Sequence, residues 1–172
     1  MNLGEILVYL NPLLILSAIY FGYQNIAKNK SDGERNFDSL AYLILGNHTF
    51  LLILLAYYFL TTNLKFEYVS DYSSNNLSIG YKLAGVWAGR DGTLLIWTWA
   101  TSLTLVLERY YHKEREMQRE LTSLIGMGLL LALCTIQLFI NPFGLNETTP
   151  TMGNGLNPLL LSPYMIIHPP IV

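Results

Sequence analysis

The chain has 172 residues, 52 % of them apolar and only 13 % charged, with a mean hydropathy of +0.34 and a formal net charge of −2. Water-soluble domains usually carry about a quarter charged residues; this balance makes lipid the main solvent and excludes a basic nucleic-acid footprint, so no nucleic-acid partner is expected. The single cysteine, Cys134, sits inside an apolar run and reads as a small buried hydrophobe, which excludes a disulfide framework or a cysteine-based zinc site within the chain.

The start, Met-Asn-Leu-Gly-Glu, has neither a basic n-region nor a small-residue cleavage site, so insertion is expected to rely on the chain's own hydrophobic segments. A helix needs roughly 20 apolar residues to cross about 30 Å of hydrocarbon. Segments from about Leu3 to Tyr23, Leu40 to Leu60 and Leu121 to Ile140 meet that length. Pro12 is a tolerated kink in the first of them. The weaker stretch Leu94–Leu107 spans only about 21 Å as a helix, and borrows preceding residues to make a fourth crossing. The expectation is an all-α polytopic membrane protein, one membrane domain over 1–172 with helices at about 3–23, 40–60, 84–107 and 121–140.

Charge sets the orientation. Lys28, Lys30 and Arg35 fall in the loop expected from Gln24 to Ser39, and Arg109, Lys113, Arg115 and Arg119 in the one from Glu108 to Glu120. Such an excess of Lys and Arg marks the cytoplasmic or matrix face. On the opposite side stand Lys65, Lys82 and Arg90, and the tail from Asn141 to Val172 has no basic residue other than His168. Both termini and the segments 61–92 and 141–172 are therefore expected outside, in a periplasm or intermembrane space. The 108–120 stretch reads as a solvated helical extension with Glu116 and Arg119 paired three residues apart.

Two polar features lie within the crossings. His48 follows Asn47 near the middle of the second one, where polar groups are expensive. A neutral imidazole hydrogen-bonded to a neighbouring helix is the favoured reading, and a haem or proton-relay role stays open. Trp97 and Trp99 read as interfacial anchors or core aromatics.

The outer segments are unusual. Tyr81–Trp97 packs Trp87, Trp97, three glycines and the Arg90–Asp91 pair at a membrane boundary. Glycines permit a tight turn or close backbone approach, and Asp91 near a helix N-terminus is electrostatically favourable. The spacing does not fit a phosphate-binding glycine loop. The tail runs through Asn141-Pro142-Phe143, then Leu156-Asn157-Pro158-Leu159-Leu160, to His168-Pro169-Pro170. Its prolines rule out a long helix and stiffen an extended path that can hold one imidazole in place, and neutral imidazole is a common haem ligand.

In order and spacing these blocks resemble the cytochrome c haem lyase family that includes CcmF, CycK and NrfE. That family typically has a WG-x-x-E-G-S-type block leading into a helix, an NPF element, and an L-N-P-L-L-Q-D-P block ending in I/F-H-P-P. The matching residues are Trp87, Gly89, Asp91, Gly92 and Thr93; Asn141-Pro142-Phe143; and Asn157, Pro158, Pro163, His168, Pro169 and Pro170. The resemblance implies that His168 is an outward-facing axial ligand to haem iron, the chain's one cofactor- and metal-binding residue. It assigns no catalytic residue here. The implied chemistry is thioether formation between haem vinyl groups and an apocytochrome CxxCH motif, with apocytochrome c, a haem chaperone and membrane lipid as partners.

The departures narrow that implication. Arg90 stands where the family often has histidine, and Asp91 and Thr93 are conservative changes. The family's Trp-rich segment, WGG-x-W-x-WD, and its remaining haem-ligating histidines would lie beyond Val172. The implied role is an N-terminal portion or split subunit of a haem lyase, in a mitochondrial inner membrane or a prokaryotic plasma membrane. Such a piece needs a complementary chain carrying the Trp-rich segment. The alternative is a non-catalytic relict subunit that stabilises a respiratory-chain complex, packing on foreign subunits through Gly126 and Gly128. A channel or transporter is disfavoured, because the crossings carry few ionisable residues and no inverted repeat.

Overall fold

The computed structural model describes residues 1–28, 31–111, 117–158 and 161. Among the described residues the chain is helical: α1 Leu3–Lys28, α2 Ser31–Leu60, α3 Glu67–Tyr72, α4 Ile79–Gly85, α5 Arg90–Tyr111 and α6 Met117–Gln137. Four long helices close into a bundle, with α1 against α2 and α6, and α5 against α2 and α6. The short α3 and α4 cover one end of it. The same end holds the N-terminus and the turns after α6, because the Asn2 side chain donates to the Phe143 carbonyl at 2.7 Å.

Three stretches are long and apolar enough to cross a membrane: Leu3–Ala27, Gly33–Leu60 and Met117–Gln137. The fourth long helix, α5, has 22 residues, about 33 Å at the usual rise. Its low hydropathy reflects polar residues turned inward. Thr98 and Ser102 are buried, and their hydroxyls donate to the carbonyls of Leu95 at 2.8 Å and Trp99 at 2.7 Å. The helix expected from residue 84 begins at Arg90 instead, because α4 ends at Gly85 and a turn through Val86–Gly89 separates the two.

Depth in the bundle is set by three consecutive residues of α2. Asn47 donates to the Asn11 side chain of α1 at 2.7 Å. The Thr49 hydroxyl accepts the Trp99 indole N–H of α5 at 3.1 Å. His48 is fully buried, with Nδ1 3.0 Å from the Ile44 carbonyl. Donation there leaves Nε2 to accept from the Cys134 thiol of α6, 3.6 Å away. Residues 100° apart on one helix thus reach three different neighbours. Trp97, by contrast, is 60 % exposed and faces outward.

At the far end, α1 and α2 run deep into the stretch expected as a loop over Gln24–Ser39; only 29–30 of it lies outside the described residues. Two of its acids, Glu34 and Asp38, join a charge cluster with buried arginines. Arg109 pairs with Asp38, with Glu120 at 3.4 Å and with Glu34 at 3.9 Å, and lies 4.4 Å from the Phe37 ring centroid. Arg119 pairs with Glu34 and with Glu120, the latter at 2.7 Å. The Ser123 hydroxyl joins them, accepting from Arg109 and donating to Glu108, each at 3.2 Å. The 108–120 stretch is therefore not simply a solvated extension: Arg109, Arg119 and Glu120 are 7 %, 6 % and 4 % exposed. Arg119 reaches across helices to Glu34, while Glu116 lies outside the described residues.

Removing one member of a buried ion pair costs about 3–5 kcal/mol, because the other charge stays behind. Arg109→Leu is therefore expected to lower the thermal unfolding midpoint in detergent sharply, and Arg109→Leu with Glu120→Leu to recover part of the loss. A midpoint unchanged by the single substitution would show the cluster to be solvated.

Candidate functional site

The motif-bearing stretches meet on α3. A single phenol organises the first of them. Tyr68 is 4 % exposed and its ring meets Phe59 edge-on at 5.4 Å. Its hydroxyl accepts the Gly89 N–H at 3.0 Å and lies 3.1 Å from the Val86 carbonyl and 3.2 Å from those of Gly85 and Gly89. Burial first raises the phenol's pKa well above its ordinary value of 10, and hydrogen bonds from Gly89 and Gly92 pull it partway back. It stays protonated and can both donate and accept.

The glycines of this block are dictated by that close approach. A Cβ on Gly89 would fall 2.6 Å from the Tyr72 ring and 2.7 Å from the Tyr68 ring. On Gly92 it would lie 1.7 Å from the Val86 carbonyl oxygen, which no side chain can accommodate. Thr93 closes the first turn of α5, its hydroxyl 2.8 Å from the Gly89 carbonyl and 3.1 Å from that of Trp87. Trp87 packs partly buried on the core formed by Phe59, Tyr68, Val86 and Phe143. Asp91 sits in the first turn of α5, where a carboxylate suits the helix dipole, and pairs with Arg90 at 3.5 Å.

The Asn141-Pro142-Phe143 element forms a side-chain-closed turn, Asn141 Oδ1 accepting the Phe143 N–H at 3.0 Å. The Phe143 ring is fully buried, and a Cβ on Gly4 of α1 would fall 2.3 Å from it. From there the chain is stitched along α3. The Glu67 N–H donates to the Gly144 carbonyl at 3.0 Å, and the Asn146 N–H to the Lys65 carbonyl at 2.9 Å, beside the antiparallel bridge between Phe66 and Leu145. The Asn146 side chain donates to Leu64 and Ser70 at 2.9 and 3.0 Å. Asn154 and Gly155 then donate to the carbonyls of Ser70 and Ser73 at 2.7 and 3.2 Å. Leu156 is buried at 5 %, and Asn157 and Pro158 follow directly. His168, Pro169 and Pro170 lie outside the described residues.

Beside this platform opens a cleft of about 670 Å³ with Glu5, Glu67, Asp71, Arg90 and Asp91 on its walls. Among the described residues no group of three or more His, Cys, Asp or Glu side chains is placed to hold a metal ion. His48 does not fit a haem-ligating role, because it is enclosed with both ring nitrogens engaged. Tyr68 was not singled out by motif reasoning. Its only sequence signal is a short aromatic and polar stretch between two crossings, which says nothing of which carbonyls it will reach.

Removing the Tyr68 hydroxyl leaves buried peptide groups unpaired, at a cost of about 1–3 kcal/mol. Tyr68→Phe is expected to lower the unfolding midpoint without blocking folding. Gly92→Ala is expected to abolish accumulation of folded protein, read by detergent-resistant monodispersity in size-exclusion chromatography. Wild-type behaviour of Gly92→Ala would contradict the close packing of Val86 on α5.

No family model matches the chain. It is 31 % identical over 135 residues to the cytochrome c-type biogenesis protein NrfE of Haemophilus influenzae, covering 77 % of this chain and 21 % of that protein. It is 31 % identical over 150 residues to the cytochrome c-type biogenesis protein CcmF of Pseudomonas aeruginosa, covering 81 % and 22 %. A solved structure, titled cytochrome c haem lyase CcmF, superposes with a TM-score of 0.73 at 16 % identity, over 85 % of this chain and 25 % of that one. That likeness is one of fold. The chain spans about a fifth of the length of the curated relatives it matches. It is an all-helical membrane protein homologous to a portion of the CcmF, NrfE and CycK cytochrome c-type biogenesis proteins.

Proposed function

We propose that this chain is one portion of a cytochrome c haem lyase that positions haem for covalent attachment to apocytochrome c. It acts with a companion chain carrying the Trp-rich haem-handling segment. The observation that carries this reading is the convergence on α3, which holds the Trp87–Thr93 block, the Asn141-Pro142-Phe143 turn and the approach to Asn157-Pro158 at one end of the bundle. The proline-stiffened segment beyond Pro158 leads to His168, to which the resemblance assigns an axial haem-iron position. Haem, when bound, supplies the vinyl groups that the apocytochrome thiols attack. This chain's own part is placement, since a reaction between two held partners gains from fixed geometry.

The membrane is a mitochondrial inner membrane or a prokaryotic plasma membrane, and the platform end faces outward. Arg109 and Arg119 are neutralised by buried acids, so the inward assignment rests on Lys28, Lys30, Arg35, Lys113 and Arg115. Partners at the outer face are apocytochrome c and a haem chaperone.

Two measurements test these points. In the complex isolated with its companions in mild detergent, His168→Ala is expected to weaken and shift the haem absorbance severalfold more than Pro163→Ala. An intact complex with no haem, or a spectrum indifferent to His168→Ala, would favour the structural-subunit role in a respiratory assembly. For topology, a cysteine at the exposed Thr149 is expected to react with an impermeant maleimide from the outer side, and one at the exposed Arg35 not to. The reverse pattern would overturn the orientation and, with it, the haem role.

A further inference from the structure

Each of the four long helices turns one polar side chain into the centre of the bundle near a common depth. These are Asn11 of α1, His48 of α2, Thr98 of α5 and Gln137 of α6, all fully buried. They divide the apolar core in two: Val8, Leu51, Leu55, Leu95 and Phe143 pack on the platform side, and Ile15, Ile44, Leu105 and Leu130 on the other. A buried polar group is costly unless it is hydrogen-bonded, so each member of the layer needs a partner. Two have theirs within the bundle. The Thr98 hydroxyl donates to the Leu95 carbonyl, and both ring nitrogens of His48 are engaged, by Ile44 and Cys134.

The two amides differ. Asn11 accepts from Asn47 at Oδ1, but among the described residues its Nδ2 has no acceptor, and neither Nε2 nor Oε1 of Gln137 has a partner. The two lie close in depth. α1 and α6 pack together, with Asn25 hydrogen-bonded to Glu120 and Gly22 set against Leu124. Those pairs put Asn11 level with residues 134–135 of α6. Gln137 lies two to three residues further on, about 3–4.5 Å along the axis at the usual rise. The amides therefore share one layer of the core without bonding to each other, and polar groups held just beyond direct contact are commonly bridged by water.

We propose that the bundle binds an ordered water in its membrane-embedded core, between Asn11 and Gln137. The water accepts from Asn11 Nδ2 and donates to Gln137 Oε1. Enclosure selects this ligand: with both side chains fully buried, neither an acyl chain nor a partner's side chain reaches them. The amides are neutral, and no group of three or more His, Cys, Asp or Glu side chains is placed to hold a metal ion among the described residues. Water is small and both donates and accepts, and buried waters typically sit on such otherwise unpaired groups. With it, a line of hydrogen bonds runs from Asn47 of α2 through Asn11 of α1 to Gln137 of α6. Cys134 and His48 then join α6 back to α2. The inference does not depend on the haem-lyase reading.

The test is water-edited solid-state NMR of the 15N-labelled full chain in its complex, reconstituted in lipid. Magnetisation from water is expected to reach the side-chain amides of Asn11 and Gln137, as it reaches the exposed Gln118. The backbone N–H of the fully buried Leu130 is expected to stay silent at the same mixing time. Gln137→Met keeps an unbranched side chain and removes the amide, and is expected to cut the transfer to Asn11 at least threefold. Thr98→Val removes the layer's hydroxyl and is expected to leave both signals in place, so that the source is water and not that hydroxyl. Silence at either amide, or a direct contact between the two amides without transfer from water, would overturn the site. So would an Asn11 signal indifferent to Gln137→Met, or signals lost in Thr98→Val. Should Gln137→Met fail to accumulate, the wild-type spectrum decides by itself.

Discussion

The end of the bundle that carries α3 and α4 depends on one phenolic hydroxyl. Residues 86–89 form a tight turn between α4 and α5. In it the N–H groups of Val86, Trp87 and Ala88 reach back to the carbonyls of Leu83, Ala84 and Gly85, while the Gly89 N–H takes its acceptor from another helix. Tyr68 is that acceptor, taking the Gly89 N–H and facing three carbonyls at once. Without it the buried Gly89 N–H would lose its acceptor, and a buried backbone donor left unpaired is costly. Yet α3 has just six residues and no side-chain cap. An isolated helix so short does not persist in water, so α3 is held by what it holds: the glycine block on one side and the tail after Phe143 on the other.

The two ends of the bundle are fastened by different physics. The platform end relies on neutral hydrogen bonds and aromatic packing, including Tyr58 stacked on Phe66 at 4.1 Å. The opposite end relies on Arg109 and Arg119 among Glu34, Asp38, Glu108 and Glu120. Ion pairs of this kind set which helices meet more than how tightly they pack, since desolvation offsets much of the attraction. At the platform end Glu5, Glu67, Asp71 and Asp91 line an open cleft rather than the hub around Tyr68.

The fold was legible where a single property decides it. Uninterrupted apolar runs announce α1, α2 and α6, and the glycines and prolines mark where helices stop. The ends of helices were less legible. Gln24–Ser39 reads as a loop by polarity, but Glu34 and Asp38 in it are paired with arginines more than seventy residues away, and composition carries no trace of partners that distant. Gly33 adds to this: a Cβ there would sit 3.0 Å from the Phe21 carbonyl, so the residue that looks like a turn former brings α2 close to α1. At the site, Gly89, Gly92 and Phe143 were identifiable as motif residues, but the reason for each lies in Tyr68, Val86 and Gly4, which no motif names.

His48 shows how lipid changes the reading of a polar residue. In a membrane interior an imidazole invites a cofactor role, yet its neighbours on α2 define a different one. Asn47, His48 and Thr49 engage α1, α6 and α5 at a common depth. Apolar side chains packed against apolar lipid scarcely resist one helix sliding along another, because nothing hydrophobic is gained or lost. Hydrogen bonds do resist it. Interhelical ones are worth only about 0.6 kcal/mol each on average in a membrane, so the triplet adds little to stability. What it fixes is register, and register places the N-terminus of α5 at the height of Tyr68 and the Phe143 turn at the height of Gly4. A helix displaced by one turn, about 5.4 Å, would carry Gly89 and Gly92 out of reach of the phenol. The buried imidazole thus acts on the α3 platform through geometry, as one of three pins that set where each helix ends.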